Sequence, residues 1–192
     1  DTVTEDVMAA AMSLMGGLGV IHRYNSPQEQ SELVQNAVKL VDHSAPIAAA
    51  IGVTDGFMER AEILANSGVS ALCVDVAHGH HVLVKNALVE LRKRFGEDIH
   101  IMAGNVATLE GFNDLADWGA DSIRCNIGGG SICTTRIQTG HGVPGLETIL
   151  QCAKSDRDAK IIADGGIKTS GDIVKALAAG ADAVMLGSLL AE

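Results

Sequence analysis

Aromatic side chains are scarce: one Trp, one Tyr and three Phe make up 3% of the 192 residues. Ala, Val, Ile and Leu must then fill the interior. With 22 glycines, that composition suits an α/β protein with tight strand–helix turns better than an aromatic-rich β-sandwich. Basic residues are also few, 14 Lys and Arg against 24 Asp and Glu, for a formal charge of −10. Such a surface repels nucleic acid and anionic membranes, so neither is expected as a partner. No Cys-x-x-Cys pair occurs among the four cysteines Cys73, Cys125, Cys133 and Cys152. Their apolar neighbours argue for reduced thiols in an intracellular protein. Long hydrophobic runs are missing too, since polar residues and glycines interrupt each one, and neither a signal peptide nor a membrane span is read. One cytoplasmic enzyme domain over residues 1–192 is expected.

What is present centres on residues 126–142, Asn-Ile-Gly-Gly-Gly-Ser-Ile-Cys-Thr-Thr-Arg-Ile-Gln-Thr-Gly-His-Gly. Gly128, Gly129 and Gly130 permit positive φ and close backbone approach. Cys133 follows among Ser131, Thr134, Thr135 and Arg136. A thiol nucleophile needs a nearby cation or exposed N–H groups to lower its pKa, and this loop offers both. The alternative is a structural glycine turn with an inert cysteine.

The rest of the chain alternates apolar strands with amphipathic helices. Thr2 to Glu5 reads as a capping box for a helix over residues 8–15. Ser26-Pro27 opens a second helix ending near Val41, and Thr54-Asp55 caps a third from Gly56. Further strands are expected at 18–22, 47–53, 70–76, 99–103, 121–127, 160–163 and 183–186, with helices after them. Continuous apolar strands between helices mean a parallel sheet. The unusual residues His22, Thr54, Asp75, Asn105, the cysteine loop, Asp164 and Ser188 all fall at C-terminal strand ends. An open sheet gathers its site at one switch point, whereas a barrel gathers every such loop at one mouth. The expected fold is therefore a (β/α)8 TIM barrel whose first strand lies upstream of Asp1, because seven strands are counted.

A second signal is Asp164-Gly165-Gly166 after the penultimate strand, paired with Gly187-Ser188 after the last. In barrels these two loops commonly form a phosphate cradle of backbone N–H groups and a helix N-terminus. Structural glycines in tight turns are the alternative.

The stretches Gly130-Ser131-Ile132-Cys133-Thr134-Thr135-Arg136, Ala103-Gly104-Asn105-Val106-Ala107-Thr108, Ala163-Asp164-Gly165-Gly166-Ile167 and Met185-Leu186-Gly187-Ser188-Leu189-Leu190 resemble the IMP dehydrogenase/GMP reductase family. Asp1-Thr2-Val3-Thr4-Glu5 and Asp75-Val76-Ala77-His78-Gly79-His80 match it as well. The resemblance runs through the whole chain. It implies a (β/α)8 barrel, usually tetrameric, acting on a purine ribonucleoside monophosphate with a nicotinamide cofactor. It makes Cys133 the nucleophile at purine C2 and Thr135 the partner of the water or leaving group there. Ser131, Asp164, Gly166, Gly187 and Ser188 would hold the nucleotide, with Asp164 on the ribose. Asp75, Asn105 and Arg124 would line the cofactor side, and carbonyls of Gly128, Gly130 and Cys133 would bind a monovalent cation, potassium.

The family usually has glycine at position 126, proline or serine at 129, and valine or a similar residue at 141. This chain has Asn126, Gly129 and His141. Many dehydrogenases insert CBS modules after the second helix, but here residues 42–45 alone separate it from the next strand. The mobile flap that distinguishes dehydrogenase from reductase would follow residue 192. The wording at Ile167, at Ser188 to Leu190 and at His78 to His80 favours an NAD-dependent dehydrogenase taking IMP to XMP. The missing insertion favours an NADPH-dependent GMP reductase, which is kept as the alternative. Rivals of other classes are a non-catalytic nucleotide-binding barrel and a phosphate-handling isomerase or aldolase, though no strand end supplies the lysine the latter would use. His78, His80 and His81 could join His22 or His141 as metal ligands, but they read better as polar loop residues. Cys73, Cys125 and Cys152 read as packing residues, Arg92 to Arg94 as a solvated helix end, and Trp118 as core or interface.

Overall fold

A computed structural model of the chain describes residues 2–41, 45–131, 133–140 and 142–191. The readings that involve Asp1, residues 42–44, Ile132 and His141 lie outside the described residues. The chain divides into two compact units, residues 1–75 with 90–101, and residues 76–89 with 102–192.

In the first unit α1 (Asp6–Leu14) precedes β1 (Val20–Ile21), α2 (Pro27–Leu40), β2 (Ala48–Ile51), α3 (Phe57–Ser67) and β3 (Ala71–Asp75). The three strands are parallel and in chain order, with Val20 beside Ala48 and Ala48 beside Ala71. All four residues of β2 are buried, as expected for a strand covered on both faces. Ile21, Val34, Leu64, Leu72 and Val74 form the core, each buried Leu or Ile contributing roughly 1.5–3 kcal/mol.

Helix α4 (Val82–Phe95) and strand β4 (His100–Val106) carry residues of both units. The second unit continues with α5 (Leu109–Asp117), β5 (Ser122–Cys125), α6 (Thr135–Thr139), α7 (Gly145–Cys152), β6 (Lys160–Asp164), α8 (Ser170–Ala178) and β7 (Ala183–Met185). Its strands β4, β5, β6 and β7 are again parallel neighbours in chain order. Phe112, Leu115, Ile123, Ile149, Cys125 and Cys152 fill its interior. Parallel neighbours need crossover connections, and the helices supply them. This is the strand–helix grammar of a (β/α)8 barrel, with seven strands among the described residues. No described helix is long and apolar enough to cross a membrane.

Helix ends follow the sequence where a local cap exists. Ser26 accepts from Glu29 N and Glu29 returns the bond, with Pro27 opening α2. Thr169 and Asp172 do the same for α8, and Thr108 caps α5. Two expected caps are not formed. Helix α1 begins after Glu5 with no side-chain cap, because the Glu5 carboxylate turns to His22 Nε2 at 3.2 Å. Helix α3 is entered through Gly56 at φ 83°, so Thr54 and Asp55 do not cap it. Strand β4 also runs past Gly104 to Val106, with a register shift against β5 and a cis peptide between Gly104 and Asn105.

One buried polar side chain organises the first unit. Gln30 Nε2 donates to Ala50 O at 2.8 Å and Ile21 O at 3.3 Å, while its Oε1 accepts from Arg60 Nη1 at 2.7 Å. Gln30→Leu strands those carbonyls and the guanidinium. It should lower the unfolding free energy by about 2 kcal/mol, read as a lower urea midpoint with an unchanged m-value. An unchanged midpoint would show that the amide does not bear on stability.

Candidate active site

The ends of β4, β5, β6 and β7 all lie in the second unit, and the side chains there are joined. Asn105 Nδ2 donates to Asp164 Oδ2 at 2.8 Å and to Asn126 O at 2.9 Å. Asn105 is itself placed by the turn after β3, where Gly79 N donates to Asn105 O at 2.7 Å and Asn105 N to Val76 O at 3.2 Å. A Cβ on Gly79 would sit 3.0 Å from the Gly104 carbonyl carbon, so the backbones pass close at that point. Arg124, buried on β5, reaches toward Asp164 with Nη1 at 3.5 Å. Three expected ligand residues, Asn105, Arg124 and Asp164, are therefore gathered around one carboxylate.

The glycine loop meets two neighbouring turns. A Cβ on Gly165 would lie 2.9 Å from Gly130 N, and one on Gly166 3.0 Å from Gly129 O. Both glycines have positive φ, 86° and 78°. The turn after β6 thus lies backbone against backbone on the loop, which side chains would prevent. On the other flank Ser131 Oγ is 3.2 Å from Ser188 Oγ, joining the loop to the single 3-10 turn Ser188–Leu190 that follows Gly187. Of the expected nucleotide residues, Ser131, Gly166 and Ser188 meet in these contacts, Asp164 heads the β6 turn, and Gly187 adjoins Ser188.

Cys133 is partly exposed, and Thr135 Oγ1 lies 3.3 Å from its Sγ. The Thr135 hydroxyl and backbone N–H hold the thiol pKa below its ordinary value, against burial, with help from the Arg136 charge and the Gly128 N–H. Thr135 opens α6, a short helix not foreseen in the sequence. Arg136 folds back over the loop, its Cγ 2.7 Å from where a Gly128 Cβ would be. Gly128 has φ 82°, and Gly130 O accepts from Cys133 N at 3.2 Å, so these expected cation ligands belong to the same turn as the thiol. The other thiols are buried. The neighbouring Cys152 thiol and burial push the Cys125 thiol well up.

Other expectations resolve separately. Asp75 ends β3 in the first unit, where Arg23 Nη2 donates to its carbonyl at 3.1 Å and Arg23 Nε approaches its Oδ2 at 3.8 Å. Sequence reading passed over Arg23, although it sits at a strand exit. No cluster of three or more His, Cys, Asp or Glu able to hold a metal occurs among the described residues. His80 instead lies 2.8 Å from Asp114 Oδ2 and against Trp118, which Lys85 also faces. Trp118 is thus partly exposed beside a polar pair and not fully buried.

A cavity of about 390 Å³ lies beside the loop, on the side of α7 and α8, lined by Asn126, Gly129, Asp164, Gly166, Lys168 and Lys175 among others. Cys133, Ser131 and Ser188 are not in its wall.

A family model described as IMP dehydrogenase / GMP reductase domain matches residues 1–192. The inosine-5'-monophosphate dehydrogenase of Rhizobium tropici is 51% identical over 165 residues, covering 85% of this chain and 33% of that protein. That of Nitrosopumilus maritimus is 38% identical over 213 residues, covering 99% and 44%. The crystal structure of inosine 5' monophosphate dehydrogenase from Legionella pneumophila is similar with a TM-score of 0.90 and 48% identity, covering 100% of this chain and 56% of that one. The chain thus spans between a third and somewhat over half of these relatives.

The four thiol environments predict an order of reactivity. Brief alkylation at pH 7 should label Cys133 well before Cys73, Cys125 or Cys152, read by peptide mass spectrometry. Since Thr135 holds the Cys133 pKa down, the labelling rate should rise with pH and level off below the ordinary thiol range. Thr135→Val should move that profile to higher pH and slow labelling at pH 7 by about threefold to tenfold. Even labelling of all four, or a profile indifferent to Thr135, would contradict the assignment.

Proposed function

The chain belongs to the IMP dehydrogenase / GMP reductase family, and from that premise we propose that it forms the thiol- and nucleotide-bearing part of an NAD-dependent IMP dehydrogenase. The reaction is the oxidation of IMP to XMP in guanine nucleotide biosynthesis. The observation that carries the reading is the 3.2 Å approach of Ser131 to Ser188 on the same loop as Cys133, two residues on, where Thr135 stands 3.3 Å from the sulfur. One loop thus offers hydroxyls for a phosphate and a nucleophile for the base. The relatives reported above carry the dehydrogenase name, so the reduction of GMP with NADPH is not favoured.

In this reading the phosphate lies against Ser131, Gly166, Gly187 and Ser188, and Asp164 accepts from the ribose hydroxyls. The positive-φ turn at Gly165 and Gly166 leaves backbone N–H groups free of side-chain crowding. The Cys133 thiolate adds to the electron-poor C2, forming a C–S bond. The C2 hydrogen leaves with its electron pair, and the nicotinamide ring supplies the hydride acceptor. Water held by Thr135 then adds at C2, the C–S bond breaks, and XMP leaves with the thiol regenerated.

Asp75, Asn105 and Arg124 are assigned to the cofactor side. Asn105 spends its N–H groups on Asn126 and Asp164, so its Oδ1 is the atom left for a donor such as a carboxamide. The carbonyls of Gly128, Gly130 and Cys133 are neutral oxygens, a donor set that fits a monovalent cation such as potassium better than a divalent one calling for carboxylates. Cytoplasmic location and a homotetramer complete the proposal.

The test uses the full-length protein with IMP and NAD. Cys133→Ala should abolish NADH formation while IMP affinity, by calorimetry, stays within about threefold. Ser188→Glu should weaken IMP binding by about a hundredfold through crowding and charge repulsion, with little change in NAD binding. Turnover by Cys133→Ala, or unaltered IMP affinity in Ser188→Glu, would contradict the reading.

A further inference from the structure

Asn126 has no task in the chemistry above, yet its side chain is buried at the centre of the site. Its backbone takes φ 111°, the only positive value at a non-glycine residue among those described. That conformation is disfavoured for any side chain, although Asn tolerates it best. The amide Nδ2 donates to Asp164 O at 2.8 Å and to Gly165 O at 3.3 Å. Oδ1 is buried without a hydrogen-bond partner among the described residues. Disfavoured backbone and an unpaired buried acceptor both oppose folding, so stability alone does not account for the residue.

The surrounding glycines point the same way. A Cβ on Gly129 would lie 1.9 Å from Asn126 Nδ2, and a Cβ on Gly145 2.9 Å from it. Neither glycine has positive φ. Their backbones would accept a side chain, and the nearest atoms it would meet are those of the Asn126 amide. One side chain therefore explains two glycines, one within the nucleophile loop and one at the start of α7.

We propose that Asn126 is a positioning residue that pins the turn after β6 to the foot of the Cys133 loop, with Gly129 and Gly145 kept small to admit its amide. The two carbonyls it holds belong to the peptides on either side of Gly165, the second of which joins it to Gly166. Its own carbonyl is held by Asn105, which also holds the Asp164 carboxylate. The amide thereby sets Asp164 and Gly166 at the separation from Ser131 and Cys133 at which one nucleotide spans them. The functional half of this inference rests on the proposed nucleotide reading. The coupling of Asn126 to Gly129 does not.

The experiment is a double-mutant cycle in the full-length protein: parent, Asn126→Gly, Gly129→Ala and the double variant, with Asn126→Asp added. The aspartate keeps the shape of the side chain but turns an acceptor toward two carbonyl oxygens. Readouts are KM for IMP, KM for NAD, the Cys133 alkylation rate and the thermal midpoint. Gly129→Ala should raise KM for IMP about tenfold in the parent and less than twofold where residue 126 has no side chain. Asn126→Asp and Asn126→Gly should each raise KM for IMP about tenfold, with KM for NAD changed by less than twofold. An equal Gly129→Ala penalty in both backgrounds would overturn the coupling. A lowered midpoint with unchanged KM for IMP in both Asn126 variants would overturn the positioning role. If the parent binds no IMP, the nucleotide reading fails. The coupling is then judged from alkylation rates and midpoints, supported if Gly129→Ala acts only beside Asn126 and refuted if it acts equally in both.

Discussion

A single asparagine amide holds two strand ends in register at the site. Asn105 Nδ2 meets the Asp164 carboxylate and the Asn126 carbonyl, so the tips of β4, β5 and β6 cannot part without breaking a part-buried hydrogen bond. The remaining contacts depend on that tie. With Asp164 fixed, the glycine turn that follows lies against Gly129 and Gly130; with Asn126 fixed, the loop that carries Cys133 leaves β5 in one direction. The register shift of β4 against β5 falls at Asn105, between Gly104 and Val106, where a regular strand would send neighbouring side chains to alternating faces.

Charge is handled locally. In the proposed reading, a chain with a net charge of −10 binds an anionic nucleotide against its overall field. The residues assigned to the phosphate are hydroxyls and glycine N–H groups, which recognise oxygen anions by direction and do not depend on net charge. The same economy sets the thiols apart. Cys125 and Cys133 are eight residues apart in sequence, yet one is pushed up by Cys152 and burial and the other held down by Thr135. Residue type alone does not separate them; the neighbours do.

Much of the fold is legible because its signals are local. The alternation of apolar strands and capped helices shows directly in the sequence, and the Ser26 cap forms as its spacing indicates. The caps read at Thr2 and Thr54 are overruled by partners distant in sequence or by backbone shape: Glu5 goes to His22, and Gly56 turns left-handed into α3. The residues assigned to the site were also visible, since cysteine, aspartate and glycine pairs at strand exits stand out against aliphatic runs. Asn126 and Gly129 were visible only as two separate departures from a family pattern. Their relation is a contact between the side chain just after β5 and a loop backbone that also involves Gly145 and Asp164, and no spacing rule encodes it. The pairing of His80 with Asp114, and Trp118 beside it, was hidden for the same reason.

The most direct measurement of the central claim is a crystal structure of the full-length protein with IMP bound. The account predicts the phosphate between Ser131 Oγ and Ser188 Oγ, the ribose hydroxyls on Asp164, and purine C2 within contact of Cys133 Sγ. A nucleotide seated instead in the cavity beside α7 and α8, with its phosphate on Lys168 and Lys175, would contradict it.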